Sequence, residues 1–305
     1  MDLFLKNRRF PLNTATVLSE ISTIPNRSKN MTGQCFTSIC LHNPLALLMT
    51  CASLNAASPH LVAHRGASYE APENTIPSVM LAWEKEADAT EVDIHMTRDH
   101  RIVVIHDSST ERTTGFDFKV AETDYQQLVP LDAGKWKGDA YDGTRIPLLS
   151  EVLSKVPEGK RIFVEIKCPS EVLPFLQKVV DDSGLLSHQI VFIAFDWETI
   201  REAKARFPKS DCFWLSGFKK DKITGKWNPS PSFVIERALN AGVDGVDVYH
   251  GGPVDKAFVD SAHDKGLEVH VYTVNDTEDA LRMLDAGVDG ITTDRPAYLR
   301  AILKK

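Results

Sequence analysis

Cysteine is scarce: five occur in 305 residues, and three of them (Cys35, Cys40, Cys51) precede residue 58. Cys168 and Cys212 are all that remain for the rest of the chain, too few for a disulfide framework, and no spacing among the five resembles a zinc site. Clustered positive charge is also missing. The formal net charge is -7, and beyond residue 58 there are 30 Lys and Arg against 40 Asp and Glu. A nucleic-acid backbone requires gathered cations, so this acidic body argues against such a partner. It leaves room for a small phosphate substrate held by a cation and one or two basic side chains. No apolar run approaches the ~20 residues that a membrane-spanning helix needs. The remaining composition, 43% hydrophobic and 25% charged, is that of an ordinary soluble globular protein.

Charge of either sign is absent from residues 31–58. Residues 1–58 show neither helical nor strand periodicity and are rich in Ser, Thr and Asn. Within them Leu45-Ala-Leu-Leu-Met49, followed by small residues through Ala56-Ala-Ser58, resembles the apolar core and cleavage zone of a signal peptide. Residues 1–58 are therefore expected to be a leader or a disordered segment. A leader would place the protein in the periplasm or outside the cell. If Met31 is the start, no Lys or Arg precedes the apolar run, and a cytoplasmic protein is the alternative.

From Pro59 onward the pattern is regular. Short, fully apolar runs, as expected of strands covered on both faces, alternate with helical segments. Pro72-Glu-Asn-Thr75 opens a helix whose Ile76, Val79, Met80 and Trp83 should share one face. Residues 108–148 interrupt the alternation; polar and rich in Gly and Pro, they predict a long loop over one rim. A second rim loop is expected at 217–231. Repeated strand–helix units over about 250 residues imply a TIM (β/α)8 barrel, because right-handed crossovers set successive strands side by side. Nine runs compete for eight strand positions, and the connection between Ile94 and Ile102 is too short for a helical crossover. The repeated Ala-Gly-Val-Asp-Gly at 241–245 and 286–290 is read as two helix ends capped by Gly242 and Gly287.

What remains are polar residues where apolar runs stop: His64-Arg65, Glu91-Val-Asp93, His106-Asp107 and Glu165-Ile-Lys167. In such a barrel the carboxyl ends of the strands form one face, and catalytic side chains gather there. Glu91 and Asp93, two apart in a strand, face the same side, and Glu165 can supply a third carboxylate. Three carboxylates without a thiol suit a hard cation, Ca²⁺ or Mg²⁺. His64 and His106 suit a general acid and a general base near neutral pH. Arg65 and Lys167 could bind phosphate oxygens, or could be ion pairs that fix Glu73 or the carboxylates. His95, His100, His188, His250, His263 and His270 are read as structural.

His64-Arg-Gly-Ala67, Pro72-Glu-Asn-Thr75, Glu91-Val-Asp93, Val104-Ile-His-Asp107, Val164-Glu-Ile-Lys167, Val271-Tyr-Thr-Val-Asn275 and Gly290-Ile-Thr-Thr-Asp294 occur in the order seen in the glycerophosphodiester phosphodiesterase family, which the chain resembles over residues 60–303. The resemblance implies metal-dependent cleavage of glycerophosphodiesters to sn-glycerol 3-phosphate and an alcohol. It implies His64 and His106 as the acid–base pair, Glu91, Asp93 and Glu165 as metal ligands, and Arg65 and Lys167 on the phosphate. It also implies an insertion after His106. Where the family commonly has Trp, this chain has Tyr272, so the shape of the substrate pocket is expected to differ there. Two rivals follow. One is a lysophospholipase D acting on lysolipids, with Phe116, Phe118, Trp136, Phe218 and Trp227 lining an acyl path. The other is a non-catalytic binding module on the same fold, which predicts a lost histidine or metal ligand; none is lost.

Overall fold

The structure is a computed structural model that describes residues 58–303; the expected leader lies outside the described residues. Eight strands run parallel and close on themselves: β1 His60–Ala63, β2 Ala89–Met96, β3 Arg161–Ile166, β4 Ile190–Ala194, β5 Asp211–Ser216, β6 Gly245–Tyr249, β7 Glu268–Tyr272 and β8 Gly290–Thr293. Each pairs with the next, and β8 pairs with β1 to complete a TIM barrel. The strands are buried along nearly their whole length because helices cover the outside and side chains fill the inside. Phe163, Val191, Ile193, Phe213 and Leu215 form the inner packing. His270 belongs to it as well: it is fully buried, its ring stacked on Phe213, as expected of a structural histidine.

The ninth run is Ile102–Val104. It pairs antiparallel with the far end of β2, Ile94 opposite Val104, and so is a hairpin arm outside the barrel. The tight connection Thr97–Arg101 makes this possible, since antiparallel neighbours need no crossover.

Helix starts and stops follow local chemistry. Thr75 caps Ile76–Glu84, Asp196 caps Trp197–Arg206, and Asp276 caps Thr277–Ala286 through side-chain oxygens. Gly242 and Gly287 end their helices with φ of 69° and 84°, the left-handed conformation that glycine adopts without strain. The face of the first helix differs from expectation. Ser78, Val79 and Ala82 are buried, whereas Met80 points to solvent and Ile76 and Trp83 are only half covered. Close approach to the turn after β1 favours small residues over the predicted bulky stripe.

Residues 108–148 are not a bare loop. They contain short helices at Glu111–Thr114 and Tyr125–Leu128 and, with Val103 and Ile105, build a separate apolar cluster around Val120, Leu128, Leu131 and Ile146. The two ends of the excursion meet, Val103 bridging to Leu148. Polarity of the surface residues hid this small core from the sequence pattern. The second rim segment folds into a hairpin, Lys219–Lys220 against Trp227–Asn228.

Candidate active site

Glu91, Asp93 and Glu165 converge at the carboxyl ends of β2 and β3, where Asp93 and Glu165 are register partners. All three are buried, with one oxygen from each lying within 4.8 Å of the others. Glu91 Oε2 accepts the Arg65 backbone N–H at 2.8 Å, and Asp93 Oδ2 accepts Asn74 Nδ2 at 2.7 Å. Glu91 Oε1 and Asp93 Oδ1 have no hydrogen-bond donor. Lys167 Nζ lies 3.5 Å from that Asp93 oxygen, and three buried carboxyl groups gathered this closely are costly without further positive charge, so the residues fit a hard divalent ion. Burial, reinforced by Asp93 and then Glu165, holds Glu91 well above the usual carboxylate range. Burial and then the Asp93 charge push Glu165 up to about 7. Burial acts on Asp93 in the same direction, but Arg65 and Lys167 outweigh it and hold that carboxyl below its ordinary value.

The turn after β1 is shaped by conformation as much as by charge. Arg65 and Asn74 adopt positive φ, 53° and 59°, and Gly66 has φ 80°. A Cβ on Gly66 would lie 2.5 Å from the Ser78 carbonyl carbon, so only glycine lets the turn rest on the first helix. That seat aims the Arg65 N–H at Glu91. The Arg65 guanidinium pairs with Glu73 at 3.0 Å and Asp93 at 3.3 Å. Lys167 Nζ lies 3.0 Å from Glu165 and 3.5 Å from Asp93. Both cations thus hold carboxylates and also line the cavity between the strand ends.

His64 and His106 stand on that same cavity, one at the end of β1 and the other just past the hairpin arm. Each has its Nδ1 on a carboxylate. His64 Nδ1 is 2.6 Å from Asp294 Oδ1, which also accepts Ser68 Oγ, while Asp294 Oδ2 accepts Asn275 Nδ2 at 2.6 Å. His106 Nδ1 is 2.7 Å from Asp107 Oδ1, and Asp107 Oδ2 accepts Arg112 Nε at 2.6 Å. Arg112 also forks onto Glu73 at 2.7 and 2.9 Å. Burial raises Asp294, but its hydrogen bond and charge attraction to His64 prevail and hold it down to about 2. Burial likewise raises Asp107, but the hydrogen bonds and charges of Arg112 and His106 together reverse it and hold that carboxyl below its ordinary value. Both are therefore ionised, accept only, and place the imidazole proton on Nδ1. Burial draws His106 below the ordinary imidazole value, although Asp93 opposes it.

The cavity has a volume of about 220 Å³. It is lined further by Ile193, Leu215, Thr292, Tyr272 and Asp247. Tyr272 sits edge-on to Phe195, 5.8 Å between ring centres. Burial and then the Glu165 charge push the Asp247 carboxyl up to about 8. Sequence reasoning assigned no role to Asp247, Asp294, Asn275, Asn74 or Arg112, and named Glu73 only as an ion-pair partner of Arg65, which it is. Several lie inside motifs quoted for the resemblance, and the signal was there in Asn275 and Asp294, polar ends of apolar runs like the others. Arg112 could not be found this way, because it lies in the irregular excursion. His95 is close by, its Nε2 3.1 Å from the His106 carbonyl oxygen, and supports the backbone without lining the cavity. Cys168 is half-buried, and burial pushes its thiol up to about 11, as suits a spectator.

A closed parallel barrel with buried carboxylates and two carboxylate-held imidazoles at its C-terminal face defines a hydrolase of the phosphodiesterase kind. Comparison with known proteins places it. Residues 64–298 match the glycerophosphoryl diester phosphodiesterase family, and the chain belongs to that family. The Bacillus subtilis protein YhdW, provisionally named a glycerophosphodiester phosphodiesterase, is 30% identical over 247 residues, which cover 79% of this chain and 96% of that protein. Rat lysophospholipase D GDPD1 is 27% identical, covering 79% and 85%. An Oleispira antarctica phosphodiesterase, solved in complex with its product sn-glycerol-3-phosphate, is 25% identical with a TM-score of 0.72, covering 81% and 97%. Among the described residues no helix is long and apolar enough to cross a membrane.

Proposed function

We propose that this protein hydrolyses glycerophosphodiesters to sn-glycerol 3-phosphate and an alcohol. The observation that carries the reading is the pair of imidazoles: His64 and His106 face one cavity beside the acid triad, each with Nδ1 engaged by an ionised carboxylate. Engagement at Nδ1 leaves Nε2 of each ring to exchange a proton with substrate. One histidine takes the proton of the attacking oxygen and the other gives one to the leaving alkoxide. The attacker is water or the glycerol 2-hydroxyl; transient glycerol 1,2-cyclic phosphate marks the second route. Arg65 and Lys167, at the cavity wall, hold non-bridging phosphate oxygens and offset the charge that develops on them. Glu91, Asp93 and Glu165 would hold Ca²⁺ or Mg²⁺, which would supply Lewis-acid neutralisation of the phosphate. Tyr272 shapes the pocket wall opposite. The catalytic domain begins at Pro59, and residues 108–148 are an insertion that clasps the rim: Lys137 Nζ reaches the Ser68 carbonyl at 2.6 Å and Tyr141 OH the Glu70 carbonyl at 3.0 Å.

A lysolipid substrate is the second reading, favoured by the rat relative's name and by the exposed rings of Phe195 and Tyr249 near Tyr272. The aromatic path first envisaged for it is weaker than expected. Phe118 packs in the insertion's own core and Phe218 packs on Phe258, so of those two neither lies open. Glycerophosphocholine and lysophosphatidylcholine assayed side by side, with Ca²⁺, with Mg²⁺ and with chelator, separate the readings. Metal-dependent release of glycerol 3-phosphate from the first is the expected result. Preference for the lysolipid would move the function to lipid hydrolysis, and no turnover of either with metal present would refute both.

A further inference from the structure

Of the acids lining the cavity, Asp247 has no part in the reaction described above. It is the middle residue of β6, only 1% exposed, with Leu215 and His270 as its register partners on the flanking strands. Its Oδ1 has no hydrogen-bond partner, and no Lys, Arg or His among the described residues forms an ion pair with it. Burying a carboxyl group with an unmet oxygen is unfavourable, and a Leu or Val would fill an inner strand position better. Of the other residues lining the cavity, Ile193 and Leu215 are apolar, and neither Thr292 nor Tyr272 hydrogen-bonds the carboxyl.

The phosphorus must lie between His64, His106 and the acid triad, so one ester limb of the substrate points down towards Asp247 and the other leaves by the mouth. A limb that fits about 220 Å³ together with the phosphate is short. To meet Asp247 it must carry an O–H or N–H. A quaternary ammonium can meet a carboxylate only by charge, an attraction weakened by the burial that favours the neutral acid, and a plain alkyl limb has nothing to donate. We propose that Asp247 is the specificity-determining residue of a hydroxyl subsite: it bonds a free hydroxyl of the glycerol limb, while Leu215 and Ile193 take the carbon chain. The enzyme thereby fixes the direction of the diester, glycerol inward and the alcohol to be released outward. This rests on the phosphodiesterase reading and deepens it.

The test compares wild type, Asp247→Leu and Asp247→Asn. The Leu variant should lose at least ~10²-fold more kcat/KM on glycerophosphocholine than on ethyl 4-nitrophenyl phosphate, a diester whose short ethyl limb fits the pocket but offers no hydroxyl to recognise. The Asn variant, which keeps a polar partner, should lose less than Leu. Titration calorimetry with Ca²⁺ present should show wild type binding sn-glycerol 3-phosphate more tightly than inorganic phosphate, and Asp247→Leu binding them alike. Without ligand the Leu variant should melt no lower than wild type, since it removes an unmet buried carboxyl. Equal losses on both diesters, an unchanged preference for glycerol phosphate, or a lowered melting temperature would each overturn the assignment and leave Asp247 a structural residue. If wild type cleaves the nitrophenyl diester but no glycerophosphodiester, the functional reading fails, and the calorimetry still decides the role of Asp247.

Discussion

Replacing Asp294 with Asn changes one atom's chemistry and no side-chain volume, yet the surrounding bonds leave the amide no good orientation. Asp294 Oδ1 accepts from His64 Nδ1 at 2.6 Å and from Ser68 Oγ at 3.0 Å, and Oδ2 accepts Asn275 Nδ2 at 2.6 Å. An amide NH2 in the first position faces two donors; in the second it faces Asn275. Asn275 cannot rotate to help, because its Oδ1 already accepts the Asp294 N–H at 2.9 Å and Thr293 Oγ1 at 3.0 Å. The substitution therefore removes a hydrogen bond to an ionised group, worth about 1.5–3 kcal/mol. If that bond holds the reactive tautomer in the transition state, kcat falls by roughly 10- to 150-fold at about 1.4 kcal/mol per tenfold. Asp294 does not line the cavity, so KM should change by less than about threefold. Steady-state kinetics on glycerophosphocholine at saturating metal reads both constants, with a thermal melt to confirm folding. A kcat within about twofold of wild type, or a loss confined to KM, would refute the view that Asp294 positions His64.

Removing either imidazole should be harsher: His64→Ala and His106→Ala should each lower kcat by at least ~10²-fold, measured with the same assay. Adding Ca²⁺ or Mg²⁺ at about 100 times its Kd should raise the melting temperature by roughly 5–10 °C, from ~2.7 kcal/mol of linkage, and Glu165→Gln should abolish most of that rise. In chelator, stability should decline as pH rises between ~4 and 7: the folded protein retains a proton on Glu165, held near about 7, that the unfolded chain has already released. Urea midpoints at pH 5 and pH 8 check this, and a saturating divalent cation should remove the decline. Gly66→Ala forces a Cβ into the Ser78 backbone and should lower the melting temperature and turnover together.

The candidate site was legible in the sequence because buried parallel strands carry few polar residues, most of them towards the carboxyl end; mid-strand Asp247 also lines the cavity and was not singled out. His64 and Glu165 stand out against apolar runs, Glu91 and Asp93 by sharing one face of a strand, and the structure gathers them at one rim. The same logic failed for Ile102–Val104, an apolar run like the rest, since periodicity does not record strand direction; only the short turn before it hinted at a hairpin. It failed again at 108–148, where the buried residues Val120, Leu128, Leu131 and Ile146 are too widely spaced to show a period. The carboxylate partner of His106 is its neighbour Asp107, within the His-Asp pair the sequence displays, whereas no local rule links Asp294 to His64 across 230 positions.

The hairpin arm and its excursion mean that the two histidines have different mechanical addresses. His64 is mounted on the closed ring of strands, whereas His106 is mounted on an appendage with an apolar core of its own. The two are joined at a seam made by Glu73, Arg112 and the clasp of Lys137 on the turn after β1. If both imidazoles move protons as proposed, turnover depends on a joint between two assemblies: loosening the appendage would silence proton transfer while the barrel, and the carboxylate nest within it, stayed whole.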